Sequence, residues 1–540
     1  MQDVPIELWR LVAFQLRAQV ISNLSRTCKS IHRSVRPLLY EIITVDFCKP
    51  GQFHKIPLLL VSLLSQPVIG QHVRRLVIRE HRRPQSVWTD QNKMDSLPTR
   101  VLIELADRGR KITQDQSECW LKELSIGNVE AFTILLLSYC PYIQHLKLDN
   151  DFQKTWAWNK SDIAPNYGTL WQAILCLQSL QSIDIDRPGH KPVAWSSNRV
   201  AVLLRLPQIS SIKMSVLEDE IQLSEPLNGI KAPNLKIFEL WNSLVSEDTV
   251  HRLISTAPSL ISLHIDFKRH TAITREPFSR YVDEWIDASK LSDVLRRPAT
   301  LSNTSEANSI QSVADHTLSS LEYLGISTCW RQTENSWDVS YEGGLAGARD
   351  WNCQHGVKGI IGSLKHLNNL KRLEISLEML LGWDDETATP LHELLPVSLT
   401  HLCLRAEFGC WEYSPWTRQC ENWSIIKLFL DYQENRLSDN LKHVKVFIPS
   451  CIILPYVEDN LPALENAIRG AGAEFETVQL EKDYGSGLKD YSYSLDLFDC
   501  EYPLDLYPRN LTEGPKCNLL KDESSQSIGY RVFRRWQPPN

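Results

Sequence analysis

Residues able to do chemistry are present in this chain, but their spacing does not fit a known reactive constellation. The densest cluster of metal-ligand types is His401, Cys403, Cys410 and Cys420. Structural zinc sites pair close-set ligands so that four donors close a tetrahedron. This cluster matches no common zinc spacing and reads as ordinary thiols. The 13 cysteines include no Cys-x-x-Cys pair, which argues against zinc ribbons and thioredoxin-type sites. The segment GGLAGAR (343–349) lacks the lysine of a phosphate-binding loop and does not follow a strand. Neither Gly-x-Ser-x-Gly nor His-Glu-x-x-His occurs. Asp384 and Asp385 read as loop surface. The expectation is a protein that is not an enzyme, with no catalytic residue, no metal and no cofactor.

Binding chemistry is better represented. The segment 327–355 carries Trp330, Trp337 and Trp351, and 405–423 carries Trp411, Tyr413, Trp416 and Trp423. Tryptophan and tyrosine bury large areas with few rotors to freeze, which suits recognition loops on a rigid scaffold. Trp337, Trp351, Trp411 and Trp416 are the candidates for target binding. The competing reading is that these side chains pack inside their own loops.

What must position such loops is a repeat. One hexamer, apolar-x-x-apolar-x-apolar, recurs at 73–78, 121–126, 143–148, 180–185, 209–214, 235–240, 260–265, 321–326, 370–375, 399–404, 441–446 and 475–480. Four copies are introduced by a proline: Pro141, Pro207, Pro233 and Pro258; Pro396 stands one residue farther out. Each proline follows a helix-like run. In SEDTVHRLISTAPSL, Val250, Leu253, Ile254 and Ala257 keep one face, and Ser246 or Asp248 can cap the start. The unit is therefore helix, proline stop, short strand, polar turn. Centres at Ile212, Phe238 and Leu263 lie 26 and 25 residues apart. Such a unit cannot bury its apolar face alone, and stacking joins the strands into a parallel sheet over a continuous core. Phe238 and Leu240 then point into the core, and Ile237 and Glu239 to the concave face. The array resembles irregular leucine-rich repeats. Asn128, Asn150 and Asn242 stand one position early against that family's asparagine register, which puts a regular ladder in doubt.

Composition bounds the partners. Lys plus Arg number 58 and Asp plus Glu 65, a net charge of -7 over 540 residues. A mildly acidic chain has no overall attraction to phosphate backbones, so nucleic acid is not expected. The longest aliphatic run, Ile56–Leu64, is half of the ~20 residues that span a bilayer, so no membrane partner is expected. No secretory signal opens the sequence, and the expected place is the cytoplasm and/or nucleus with reduced thiols.

The first forty-odd residues are the most specific. VPIELWRLVAFQL reads as a short amphipathic helix with Pro5 in its first turn and Leu8, Leu11, Val12 and Leu16 at helical spacing. VISNLSRTCKSIHRSV reads as a second helix, striped by Val20, Leu24, Cys28, Ile31 and Val35 and ended by Pro37. A strand-like LLYEIITVDF follows. These segments closely resemble the F-box motif, through the Pro-x-Glu start, Leu8 and Val12, Leu16, and the Leu24…Cys28 stretch. Val4 and the pair Gln19-Val20 depart mildly from the family. The resemblance implies docking onto the Skp adaptor, and through it a cullin. Pro5, Ile6, Leu8, Val12, Leu16, Val20, Ile21 and Leu24 would make that contact.

The expected fold is α/β: a helical F-box, then an irregular leucine-rich-repeat solenoid of parallel strands with helices on the convex side. The expected organisation is F-box 1–46; linker or first cap helix 47–72; repeats 73–482 with insertions near 266–317, 327–356 and 405–424; and a C-terminal extension 483–540, a cap or a partly disordered segment. The resemblances imply a substrate-recognition subunit of a Skp–cullin–F-box ubiquitin ligase holding a protein target of unknown identity. The alternative is a repeat scaffold, or a Skp-bound interaction protein, with no ligase role.

Overall fold

The structure is a computed structural model. It describes residues 8, 12, 16, 18–46, 55–79, 99–148, 169–185, 195–218, 230–270, 286–296, 318–331, 357–406, 416 and 423–480, less a few short gaps inside those ranges. Twelve strands form one sheet: β1 (Ile42–Asp46), β2 (Arg75–Arg79), β3 (His145–Leu148), β4 (Ser182–Ile185), β6 (Ser211–Ser215), β8 (Ile237–Ser243), β9 (Ser262–His270), β11 (Tyr323–Arg331), β13 (Arg372–Ser376), β14 (His401–Arg405), β15 (His443–Pro449) and β16 (Glu474–Leu480). They lie side by side in chain order. All pairings from β2 to β15 are parallel. Two short pairs, β5 (Trp195–Ser196) with β7 (Leu217–Glu218) and β10 (Ile286–Asp287) with β12 (Val357–Lys358), lie outside this sheet.

Eleven of the twelve hexamers are these strands. The turn before each strand explains why. Ile143 N–H donates to Cys140 O, Ile209 N–H to Leu206 O and Leu235 N–H to Ala232 O, at 3.4, 3.3 and 3.1 Å. Pro141, Pro207 and Pro233 thus occupy the second position of a four-residue turn, where the ring's fixed φ is already correct. Leu177–Leu180, Leu318–Leu321 and Leu367–Leu370 make the same turn without proline. The carbonyl just ahead of each strand then accepts two N–H groups from the next unit. Arg74 O takes Gln144 and His145 N–H at 2.7 and 3.0 Å, and Gln144 O takes Gln181 and Ser182 N–H at 2.8 and 2.9 Å. The pattern continues through Gln181, Ser210, Lys236, Ile261, Glu322, Lys371 and Thr400.

This register puts like positions in line. Leu76, Leu146, Ile183, Ile212, Phe238, Leu263, Leu324, Leu373, Leu402 and Val444 pair in one buried row, and the apolar residue two places on makes a second. Leu235 is also buried, not within the strand but in the turn before it. An amide ladder does exist, at strand entry instead of strand exit. Asn234 Nδ2 donates to Pro207 O, Asn369 Nδ2 to Ser319 O and Asn440 Nδ2 to Val397 O, at 2.9, 2.6 and 2.9 Å. Asn128 and Asn150 lie outside the described residues.

Three expectations are corrected. The hexamer at 121–126 is not a strand: its first five residues end the helix Ser117–Ser125, where Trp120 and Leu124 are buried. Its Leu121–Leu124 spacing suits a helix as well as a strand, and no turn precedes it. The insertions near 266 and 327 start later than expected, because β9 and β11 stay paired from Ser262–Tyr323 out to His270–Arg331. Within the insertions, β10 and the helix Ala288–Arg296 are ordered, and Asp287 N–H donates to buried Glu247 Oε1 at 2.7 Å.

The third correction concerns the N-terminal helices. The chain divides into two compact units, residues 1–42 with 480–540, and residues 43–479. In the first, the run read as one helix is two, Ala18–Ser25 and Lys29–Glu41, broken at Arg26 and Thr27. Pro37 lies inside the second helix. It removes one i→i−4 hydrogen bond, but packing on its two sides, with Val35 buried and residues 36–40 half-buried, carries the helix on to Glu41.

In the second unit, Ser246 rather than Asp248 caps the helix Glu247–Ser255, its Oγ accepting from Thr249 N–H at 3.2 Å. Ser246→Ala is expected to cost about 1 kcal/mol, and Ser246→Asp to retain most of it. Urea unfolding of the three proteins checks this.

Candidate functional site

The strand face opposite the apolar rows is the surface this architecture presents. One row of it runs Lys147, Asp184, Lys213, Glu239, His264, Gly325, Glu374, Cys403 and Lys445 on nine consecutive strands of the sheet. Neighbours alternate in charge at its start: Lys147 Nζ lies 2.9 Å from Asp184 Oδ2, and Lys213 Nζ 2.9 Å from Glu239 Oε1. At its far end Lys445 Nζ lies 3.1 Å from Glu476 Oε1.

The middle of the face is a buried polar chain. Arg405 Nη1 donates to Glu374 Oε1 at 2.5 Å, and Tyr323 Oη donates to Glu374 Oε2 at 3.1 Å. With the Tyr323 proton committed to Glu374, His264 Nδ1, 3.1 Å from Tyr323 Oη, must be the donor there. The imidazole stacks on Trp241 with centroids 3.9 Å apart, and the Arg405 guanidinium lies over the Phe447 ring at 5.4 Å. His264, Tyr323, Glu374 and Arg405 are all under 7% exposed. Gly325 makes room for the ring: a Cβ there would stand 2.1 Å from His264 Nδ1.

The electrostatics follow from burial. Burial alone would push the Glu374 carboxyl up. Arg405, then His264, and the hydrogen bonds from Arg405 and Tyr323 outweigh it and hold the group below its ordinary value. Burial, and then the Glu374 charge, drive the Tyr323 phenol well up, so it stays a donor. His264 is pushed down by burial, against the pull of Glu374, Asp266 and Glu239. His145 is lowered by burial and then by Arg75. His401 is pushed down to about 4 by burial, then by Arg372 and by His443, whose ring stacks on it at 4.5 Å. Among the described residues no three His, Cys, Asp or Glu side chains gather as a metal site. Cys410 and Cys420 lie outside those residues.

The expected site residues divide. Leu8, Val12 and Val20 are exposed at 51%, 45% and 40%, Leu16 and Leu24 are half-buried, and Ile21 is buried. Pro5 and Ile6, and likewise Trp337, Trp351 and Trp411, lie outside the described residues. Trp416 is fully buried, its indole N–H donating at 2.9 Å to the carbonyl of Gly382, which ends the helix Leu377–Leu381 at φ +84°. That is a packed side chain: an indole with no exposed surface has none to give a partner. Trp423 is buried beside it in sequence, at the start of the helix Ser424–Asn435. The buried Tyr323–Glu374–Arg405 chain was missed from sequence because its members lie 51 and 31 residues apart.

No family model and no curated relative matches the sequence. Among solved structures, the chain is similar to the Rad7 and Elc1 complex in yeast, with 11% identity and a TM-score of 0.26, over 73% of this chain and 91% of that one. The architecture therefore rests on the chain's own hydrogen bonds: a mixed α/β protein built on a large parallel sheet.

Two outcomes are expected. Gly325→Ala forces the His264 ring off Tyr323 and should destabilise the protein by about 1–3 kcal/mol, whereas Trp416→Ala should cost about 3–5 kcal/mol. Denaturant titration measures both. The three histidines with depressed pKa values are neutral when folded, while an unfolded imidazole titrates at 6.5. Below that value the unfolded chain takes up protons that the folded chain refuses. Stability should therefore fall as the pH drops from 6.5 toward 4. Unfolding midpoints at pH 7 and pH 5 should converge in His401→Gln relative to the parent.

Proposed function

We propose that this chain is the substrate-recognition subunit of a Skp–cullin–F-box ubiquitin ligase. Its N-terminal helices dock on the Skp adaptor, and its strand array, an irregular leucine-rich-repeat solenoid, holds a protein target. The reading is carried by one observation: Leu8, Val12 and Val20, three of the positions at which the F-box resemblance expects adaptor contact, leave large apolar side chains in water. Contiguous exposed apolar surface is the usual mark of a protein interface, and these three side chains would supply part of one. Val20 lies on the 8-residue helix Ala18–Ser25, which among the described residues buries Ile21, and Leu8 and Val12 precede it in the chain.

The chain contributes no reacting group in this scheme. Holding a target beside the transfer machinery raises its effective concentration, and that is the whole of its catalytic role. The free thiols Cys140, Cys176 and Cys403 are in keeping with a reducing compartment, the cytoplasm and/or nucleus. Among the described residues no helix is long and apolar enough to cross a membrane.

Leu8→Asp combined with Val12→Asp should abolish capture of the Skp adaptor. A carboxylate pressed into an apolar groove costs several kcal/mol, whereas at two exposed sites it costs the fold little. Adaptor pull-down together with the unfolding midpoint tests this. Undiminished capture sinks the F-box assignment. Co-purification of a cullin with the parent, and target turnover that depends on it, separate a ligase subunit from a scaffold.

A further inference from the structure

We infer that Trp241 is the anchor of the concave face, and that the group it takes from a protein target is an arginine side chain laid over its ring. This rests on the reading of the array as a target-binding surface and adds the place and the chemistry.

The first observation is that the indole is held in advance. Trp241 lies on β8, two residues beyond Glu239 and therefore on the same face of the sheet. Its N–H donates to Glu239 Oε2 at 3.3 Å, and its ring lies on the His264 imidazole with centroids 3.9 Å and planes 24° apart. His264 is itself fixed by Tyr323 Oη at 3.1 Å, and through it by Glu374 and Arg405. A ring already fixed in this way loses little freedom when a partner arrives.

The second observation is what this part of the face leaves open. Among its neighbours on β8 and β9, Glu239, Ser243, His264 and Asp266 are at 3%, 0%, 0% and 4% exposure, whereas Trp241 stays half-buried. With one ring face on His264 and the N–H on Glu239, the other ring face and the outer edge are what it has to offer. Tryptophan is enriched among the few residues that carry most of the energy of an interface.

The third observation is charge, and it selects the occupant. Glu374, Asp266 and Glu239 all pull on the His264 ring that backs Trp241, against Arg405. Lys213 holds Glu239 Oε1 at 2.9 Å. Three carboxylates against two cations leave one negative charge in excess around the stack. The face of a tryptophan ring attracts a cation, most strongly where water is kept away. His264 does not meet that demand itself, because burial keeps its ring neutral. A guanidinium suits the site better than an ammonium: it is planar, stacks flat on a ring and stays charged. A carboxylate or phosphate would face both the excess negative charge and the negative face of the indole.

A fluorescein-labelled peptide, Gly-Ser-Arg-Ser-Arg-Ser-Gly, tests this by anisotropy against the full chain. The parent should bind it saturably. The same peptide with citrulline for arginine, equal in shape but uncharged, should bind at least about tenfold more weakly. Trp241→Leu keeps an apolar side chain against His264, and Trp241→Gln keeps an N–H for Glu239; both remove the aromatic face and should each weaken binding at least about tenfold. Trp241→Phe retains a face and should stay within about threefold of the parent. Unfolding midpoints show which variants are folded at the assay temperature. Three results overturn the inference: no saturable binding by the parent, equal binding of the citrulline peptide, or undiminished binding by a folded leucine or glutamine variant. If the parent binds the peptide but captures no adaptor, the ligase reading falls and this site stands. If it captures the adaptor but not the peptide, this inference alone falls.

Discussion

Everything in the larger unit depends on one carbonyl per repeat. From Arg74 O to Thr400 O, the oxygen just ahead of each strand accepts two N–H groups from the next unit. A strand slipped by one residue would turn its apolar pair to the wrong face. The double acceptance forbids the slip, and the turn before each strand delivers the chain to it. Asn234, Asn369 and Asn440 reinforce the same joints with side-chain amides. Units with unequal loops between them can then stack, because the joint is the same whatever the loop length.

Locked register also makes the opposite face a set of rows, and rows make charge and burial properties of several strands together. The Arg405–Glu374 pair is only tolerable under cover because Tyr323 supplies a further hydrogen bond to the carboxylate. A buried pair with a partner removed typically costs ~3–5 kcal/mol. His264 enters that assembly only because Gly325, its neighbour in register, has no side chain. The face thus has a polar centre closed by its own hydrogen bonds.

The N-terminal unit obeys a different constraint. A short helical segment encloses too little volume to bury every apolar side chain it carries. Ile21 and Val35 go inside, and Leu8, Val12 and Val20 do not. The two roles proposed for the chain, adaptor docking and target capture, would fall to different compact units.

Sequence by itself determined the repeat. Apolar spacing located eleven of the strands and a proline ahead of the strand marked five of them, because both are local signals. It determined the core side of the strand carrying Phe238 and Leu240 and narrowed the cap to Ser246 or Asp248, and the structure chose Ser246. Where the local signal was ambiguous, tertiary packing decided. Leu121–Leu124 became helix because Trp120 and Leu124 found a buried face there, and Pro37 stayed inside a helix because its neighbours were packed. Trp416 looked like a recognition residue until the Gly382 carbonyl, 34 residues away in the chain, took its N–H. The Trp241–His264–Tyr323–Glu374–Arg405 chain draws on five strands. Its hydrogen bonds and burial exist only once register has set those strands side by side, so no local pattern could announce it.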